Sequence, residues 1–425
     1  MTPYIAVTPA RPSLDTELRI RLGGLPPHRD VTVRATHRDQ RGRRWTSAAR
    51  YPTDSGGRLD LHQDAPVSGS YTGTDPMGLI WSMEPVDEPD PGAPVDVRAP
   101  SALSLTVEVG DREVAWTRVE RLRIPDGMVR TEVRDGGLVG VLYHPEAGGR
   151  LPGVLMLGGS EGGLHEDDAA LLAAHGYAVL ALAYYGLPGL PPTLRDIPVE
   201  YFGRALDLLG AHPRVEGDRL AVTGGSKGGE AALLIASTYP HVRAAASVVG
   251  SGVLTQGISQ DVRTGSFLDI VRTPVPNWTW QGRPLPYLPN VATIELEKRI
   301  EAGEPVSLLM VFEPGLRLTE QLAAATIPVE RITGAVLLLS TEDDQGCGVE
   351  FHEIAARRLA DRCTHVVYPG AGHSIAAPPY GPTTQKLWPG PGVTFTAGGT
   401  PAADARARAG AWQATLTFLA DHLAA

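Results

Sequence analysis

Leu220-Ala221-Val222-Thr223-Gly224-Gly225-Ser226-Lys227-Gly228-Gly229-Glu230 is the stretch from which the rest of the chain is best read. Its apolar start predicts a strand, its glycine-rich centre a sharp turn, and the alanine- and leucine-rich residues 231–236 a helix. Strand, turn and helix form the setting of a G-x-S-x-G nucleophile elbow. The serine of such an elbow sits at a strained turn that lifts its hydroxyl above the sheet. Residues two before and two after crowd that turn, which gives Gly224 and Gly228 a steric reason to be glycine. The pattern alone is a weak signal in a chain with 49 glycines, where a glycine-rich βα turn is the plainer reading. Its weight depends on what surrounds it.

From about residue 134 strands alternate with helices. Gly153-Val154-Leu155-Met156-Leu157 reads as a buried parallel strand, 167–175 as a helix with acidic residues at its start, and 177–183 as a second strand. A helix over 200–211 precedes the elbow. Strands over 244–249, 335–339 and 365–368 and a last helix over 402–423 follow it. This rhythm predicts a doubly wound, mostly parallel sheet, with ligands beyond the carboxyl ends of its strands. The first strand is not followed by G-x-G-x-x-G, and Lys227 is misplaced for a phosphate-binding loop.

Residues 1–118 have another texture. Leu18-Arg19-Ile20-Arg21-Leu22, Val31-Thr32-Val33-Arg34-Ala35 and Leu103-Ser104-Leu105-Thr106-Val107-Glu108-Val109 alternate apolar and polar positions. Such period-two runs between turns predict an antiparallel β-sandwich, with 85–100 as a long loop within it. The expected division is therefore 1–118 and 119–425.

Bulk properties narrow the function. The net charge of −10 is spread along the chain, so nucleic acid is not an expected partner. Two cysteines and no C-x-x-C or H-E-x-x-H spacing give no support for a disulfide scaffold or a metal site, and no cofactor is expected. Met1-Thr2-Pro3-Tyr4-Ile5 lacks a signal-peptide pattern, and no apolar run is long enough for a membrane span. A cytoplasmic location is the expectation; composition leaves the oligomeric state open.

A serine nucleophile needs a base to take its proton and a carboxylate to hold that base in the right tautomer, in the chain order serine, acid, histidine. The acid belongs just after a late strand, where Ser340-Thr341-Glu342-Asp343-Asp344 follows 335–339; spacing leaves Asp343 and Asp344 as alternatives. The base belongs after the last strand, where the chain reads Tyr368-Pro369-Gly370-Ala371-Gly372-His373. His352 and His365 fall in helix and strand patterns and are less suitable. The oxyanion needs two fixed donors. One is the backbone N–H of Lys227, and the other belongs to Gly158-Gly159-Ser160-Glu161-Gly162-Gly163, at Ser160 give or take one residue. His165, near that loop, is a substrate-contact candidate.

These segments resemble the type I acyl-CoA thioesterases and bile acid-CoA:amino acid N-acyltransferases. Gly225-Ser226-Lys227-Gly228-Gly229-Glu230 and Tyr368-Pro369-Gly370-Ala371-Gly372-His373 are similar to that family's elbow and histidine loop, and Asp75-Pro76-Met77-Gly78-Leu79-Ile80-Trp81 to an N-terminal motif. The resemblance spans about residues 5–423. It implies an Ig-like β-sandwich joined to an α/β-hydrolase domain, and Asp344 as the triad acid. Residues 251–325, rich in Trp, Pro and Tyr, and 383–395 depart from the family pattern and are expected to wall the acyl pocket. Serine members of the family mostly use water as acceptor, whereas the amino acid-conjugating members carry cysteine. Ser226 therefore points to hydrolysis of an acyl-CoA or acyl-carrier thioester. The alternative is acyl transfer, or chain release from a carrier protein, to an amine or alcohol.

Overall fold

The computed structural model describes residues 2–424 except 91, 94 and 261–264. Four residues of the 251–325 segment expected to wall the acyl pocket and two of the expected 85–100 loop thus lie outside the described residues. The chain forms two compact units, Met1–Asp126 with Pro378–Gln385, and Gly127–Ala377 with Lys386–Ala425.

The first unit contains β1 (Tyr4–Thr8), β2 (Arg19–Gly23), β3 (Asp30–Arg38), β4 (Arg44–Pro52), β5 (Leu59–Asp60) and β6 (Ser68–Gly69). A single helical turn, α1 (Gly78–Trp81), precedes β7 (Glu84–Pro85), β8 (Ser101–Val109) and β9 (Arg112–Arg121). One sheet runs β1-β2-β5 and the other β6-β4-β3-β8-β9, with β7 beside β4, all antiparallel. This is the expected β-sandwich. Alternation explains it: in β3 the side chains of Val31, Val33 and Ala35 are buried, in β8 those of Leu103, Leu105 and Val107, while their neighbours face outward. Pro378–Gln385 joins this unit through specific bonds. Arg121 Nη1 donates to the Tyr380 carbonyl (2.9 Å), and Thr384 Oγ1 to that of Met83 (2.5 Å).

The second unit is an α/β hydrolase. Its strands are β10 (Met128–Val133), β11 (Val139–Pro145), β12 (Leu151–Leu157), β13 (Ala178–Ala183), β14 (Ile197–Pro198), β15 (Val215–Gly225) and β16 (Val242–Val248). They continue as β17 (Trp278–Trp280), β18 (Arg283–Pro284), β19 (Ala335–Thr341), β20 (Cys363–Tyr368), β21 (Leu387–Gly390) and β22 (Val393–Thr396). Eight of them form one sheet in the order β10-β11-β13-β12-β15-β16-β19-β20. An antiparallel hairpin, β10 and β11, opens it, and every pairing from β13 to β20 is parallel. β13, Ala-Val-Leu-Ala-Leu-Ala, is buried at every position, as a strand covered on both faces requires.

Helices α2 (Glu166–Ala174), α3 (Val199–Ala211) and α4 (Lys227–Thr238) connect the first strands; α9 (Val349–Leu359) and α10 (Pro401–Leu423) follow β19 and β22. Between β16 and β19 lie α5 (Phe267–Arg272), β17, β18, α6 (Ile294–Glu301), α7 (Leu309–Phe312) and α8 (Thr319–Ala325). From β12 the chain moves outward to β13, then returns to β15 on the other side of β12. The strand order thus reverses between β12 and β15, and the loops leaving their carboxyl ends flank the switch point where doubly wound sheets bind ligands.

Candidate active site

Ser226 occupies the turn between β15 and α4 with φ +52° and ψ −119°, a positive φ carried by a residue with a side chain. Its own N–H is held by the Val248 carbonyl (2.8 Å), and its carbonyl accepts from Gly229 and Glu230 N–H. The flanking glycines are required by contact. A Cβ on Gly224 would lie 2.4 Å from the Gly228 carbonyl oxygen, and one on Gly228 would lie 2.6 Å from those of Leu157 and Gly158. The strained serine is therefore over-determined by the packing around it, which is how such a backbone angle persists.

His373 meets Ser226 from the loop after β20. Ser226 Oγ lies 3.0 Å from His373 Nε2, and His373 Nδ1 lies 2.7 Å from Asp344 Oδ1. Asp344 sits in the turn after β19, 4% exposed, and Oδ1 also accepts from the N–H groups of Gly346 (2.7 Å) and Cys347 (2.9 Å). Burial pushes its carboxyl up, but the His373 ring and these donors outweigh burial and hold it below the usual carboxylate range. Burial likewise opposes the charged form of His373, and Asp344, with a smaller contribution from Glu161, raises it above the ordinary imidazole value. Asp343 has different work: its carboxylate accepts from Gln345 Nε2 (2.8 Å) and Gly399 N–H (2.7 Å). Of the two adjacent aspartates, only Asp344 reaches the histidine.

The histidine loop is braced by residues that sequence reading passed over. His373 N–H donates to the Ala397 carbonyl (2.8 Å) and Gly372 N–H to Asp404 Oδ1 (2.8 Å), so α10 and the residue after β22 hold the histidine loop in place. The Trp388 ring stacks on His373 at 6.5 Å between centroids and continues into Phe395, which belongs to an apolar cluster with Phe267, Leu296 and Val306. Trp388 lies in the stretch 383–395 flagged only as a departure. A lone tryptophan in a Pro- and Gly-rich segment carries no periodicity that would single it out.

Lys227 N–H and Ser160 N–H have no protein partner among the described residues, in contrast to Gly159 N–H, which donates to Glu161 Oε1 at 2.9 Å. The Lys227 side chain points into the protein as the ion-pair partner of Glu230. Its Nζ donates to Glu230 Oε2 (3.0 Å) and to the Thr255 hydroxyl. Glu230, 1% exposed, also accepts from Thr255 N–H (3.1 Å) and Oγ1 (2.8 Å) and from Trp278 Nε1 (2.8 Å), which ties the elbow helix to the segment after β16. His165 does not lie free for a ligand; it is paired to Glu161 and Asp168.

The profile described as the acyl-CoA thioester hydrolase/BAAT N-terminal region matches residues 15–135, and that of the BAAT/acyl-CoA thioester hydrolase C terminal matches residues 197–425. Human mitochondrial acyl-coenzyme A thioesterase 2 is 34% identical over 420 residues, covering 96% of this chain and 82% of the relative. Human acyl-coenzyme A thioesterase 1 is 34% identical over 420 residues, covering 96% and 94%. Among solved structures, the α/β hydrolase GrgF from Penicillium sp. sh18 is 18% identical with a TM-score of 0.43, over 71% of this chain and 100% of that one.

Proposed function

Because this chain belongs to the acyl-CoA thioester hydrolase/BAAT family, we propose that it hydrolyses acyl-CoA thioesters through an acyl-enzyme on Ser226. The observation that carries the reading is the unbroken hydrogen-bonded line from Ser226 Oγ through both His373 nitrogens to Asp344. His373 Nε2 takes the hydroxyl proton as Oγ attacks the thioester carbonyl carbon. The carbonyl π electrons move onto oxygen, where the Lys227 and Ser160 N–H groups receive the charge. Collapse breaks the C–S bond, and His373 returns its proton to the CoA sulfur. Water then attacks the oxygen ester while losing a proton to His373. The second collapse sends that proton to Ser226 Oγ and releases the carboxylic acid. Asp344 keeps Nδ1 protonated, so that Nε2 is free to accept, and stabilises the imidazolium.

The acceptor is water because an oxygen ester next to an activating histidine is open to hydrolysis, whereas a cysteine thioester would favour amines. The apolar cluster reached from His373 through Trp388 supports an acyl pocket walled by the segment between β16 and β19. No helix among the described residues is long and apolar enough to cross a membrane. Two unpaired cysteines suit a reducing compartment, and the cytoplasm is the location we propose.

The test is free-thiol release from a panel of acyl-CoAs, with and without glycine, taurine or simple alcohols. Thiol release that needs no acceptor and yields only free acid is the expected result. Acyl conjugates formed at the expense of free acid would make the enzyme a transferase. Turnover of a carrier-protein thioester alone would replace CoA as the substrate's carrier.

A further inference from the structure

The loop leaving β12 carries an ion-paired clamp that the reaction scheme does not use. Glu161 Oε1 accepts from Gly159 N–H (2.9 Å) and lies 2.8 Å from His165 Nε2. The other ring nitrogen of His165, Nδ1, lies 3.5 Å from Asp168 Oδ2 on α2. Glu161 is more than half exposed, His165 and Asp168 mostly covered. The second carboxylate oxygen of Glu161 lies over Gly159, on the side of the nucleophile. A Cβ on Gly159 would be 2.7 Å from Oε2 and 3.2 Å from the Ser226 Cβ. From below, Tyr184 OH donates to the Gly158 carbonyl (2.7 Å).

Glu161 consumes the Gly159 N–H, so of the two consecutive amides only that of Ser160 remains unpaired to receive an oxyanion. An anionic carboxylate this close to the nucleophile would by itself oppose the negative charge that develops on the substrate oxygen. The cation on His165 offsets it. The proton on His165 is strongly held: burial opposes it, but the two flanking carboxylates raise the imidazole to about 10.

We propose that Glu161 and His165 are positioning residues: Glu161 sets the Gly159–Ser160 turn so that the Ser160 N–H faces the substrate, and His165 neutralises Glu161 so that its charge does not act against the oxyanion. The inference rests on the acyl-enzyme reading given above. It separates from simple loop stiffening by the sign of one double-mutant cycle. Glu161→Gln keeps an acceptor for Gly159 N–H without the charge, whereas His165→Ala leaves the charge uncompensated.

The experiment measures kcat and KM on a saturated acyl-CoA in the full chain. Wild type, Ser226→Ala, Glu161→Gln, Glu161→Ala, His165→Ala and the Glu161→Gln/His165→Ala double variant are compared, each with its thermal midpoint recorded. Loss of an oriented donor is worth about 100-fold in kcat, and Glu161→Ala and His165→Ala are each expected to lose about that much with KM within about twofold of wild type. The double variant is expected to regain at least about tenfold over His165→Ala. Additive losses, losses confined to KM, or a Glu161→Ala variant as fast as wild type would overturn the clamp. Thiol release that survives in Ser226→Ala would instead remove the acyl-enzyme reading on which it stands.

Discussion

Ser226 combines a backbone angle that costs free energy with a hydroxyl that meets a base, and the two belong together, since the positive φ turns Oγ toward His373. Ser226→Ala is therefore expected to lower kcat by about 10⁴-fold or more, and to abolish labelling by a fluorophosphonate probe, while leaving the fold intact. Labelling that persists in this variant would move the nucleophile elsewhere. The neighbouring aspartates give a sharper comparison. Asp344→Asn removes the acceptor that fixes the His373 tautomer and should cost about 10³–10⁴-fold in kcat. Asp343→Asn disturbs only the exposed bonds to Gln345 and Gly399 and should stay within about threefold of wild type. The base also predicts a pH profile. In the proposed mechanism attack requires neutral His373, which burial lowers and Asp344 raises to a net value above 6.5, so kcat/KM is expected to fall as pH drops through a value above 6.5. In Asp344→Asn the surviving activity should show this limb at lower pH; a limb that does not move would disconnect the profile from the pair.

At the scale of elements, α4 is held from both ends of its first turn. Gly228 lets it approach the end of β12, and Glu230 secures it to the segment after β16 through Thr255 and Trp278. Gly228→Ala forces a methyl against two backbone oxygens and should destabilise by on the order of 1–3 kcal/mol, read as a lower urea midpoint. Lys227→Met keeps the backbone N–H and removes the partner of an almost fully buried carboxylate. A loss on the order of 3 kcal/mol with residual kcat in the folded fraction is expected, because the uncompensated charge is what costs stability. A kcat that collapses while stability is unchanged would mean the ammonium acts in the chemistry. The parallel strands β12, β13, β15, β16, β19 and β20 and helices α2, α3, α4 and α10 were legible because continuous apolar runs, glycine stops and acidic helix starts mark them locally, whereas the antiparallel β10 and β11 were not singled out. The Lys227–Glu230 pairing was legible only in part: spacing puts the two on one helix face, where a lysine reads as surface charge or as an ion-pair partner, but only the tertiary fold brings Thr255 and Trp278 to them. Trp388 and the short strands β14, β17, β18, β21 and β22 escaped for the same reason, since they are defined by what they pack against.

For the whole molecule, the change of texture near residue 118 made two architectures visible, whereas the inclusion of Pro378–Gln385 in the first unit depends on contacts across more than half the chain. Each unit also encloses a histidine whose neutrality no local pattern announces. In the first, burial lowers His37 to about 4; in the second, burial lowers His352 to about 3. His352 is embedded in a chain of bonds. Its Nε2 accepts from Gly250 N–H (3.2 Å) and faces the Ser247 hydroxyl (2.7 Å), and its Nδ1 faces Ser340 Oγ (2.8 Å), which also meets His365 Nε2 (2.9 Å). A proton on Nε2 would point at a donor that already occupies the site. The sign follows from linkage. Between about pH 6.5 and 3 the unfolded chain binds a proton at this histidine that the native state refuses, so stability falls as pH falls. Asp344, held below its usual range, acts in the same direction. His165, raised to about 10, acts oppositely: its contribution is complete below about 6.5 and disappears only as pH rises through about 10. The thermal midpoint is thus expected to drop steeply from pH 6.5 to 4, by an equivalent on the order of a few kcal/mol. His352→Asn, which cannot titrate, should start from a lower midpoint at pH 7 and lose less of it on acidification. Parallel curves for the variant and the wild type would show that His352 is not the group through which acid unfolds the second unit.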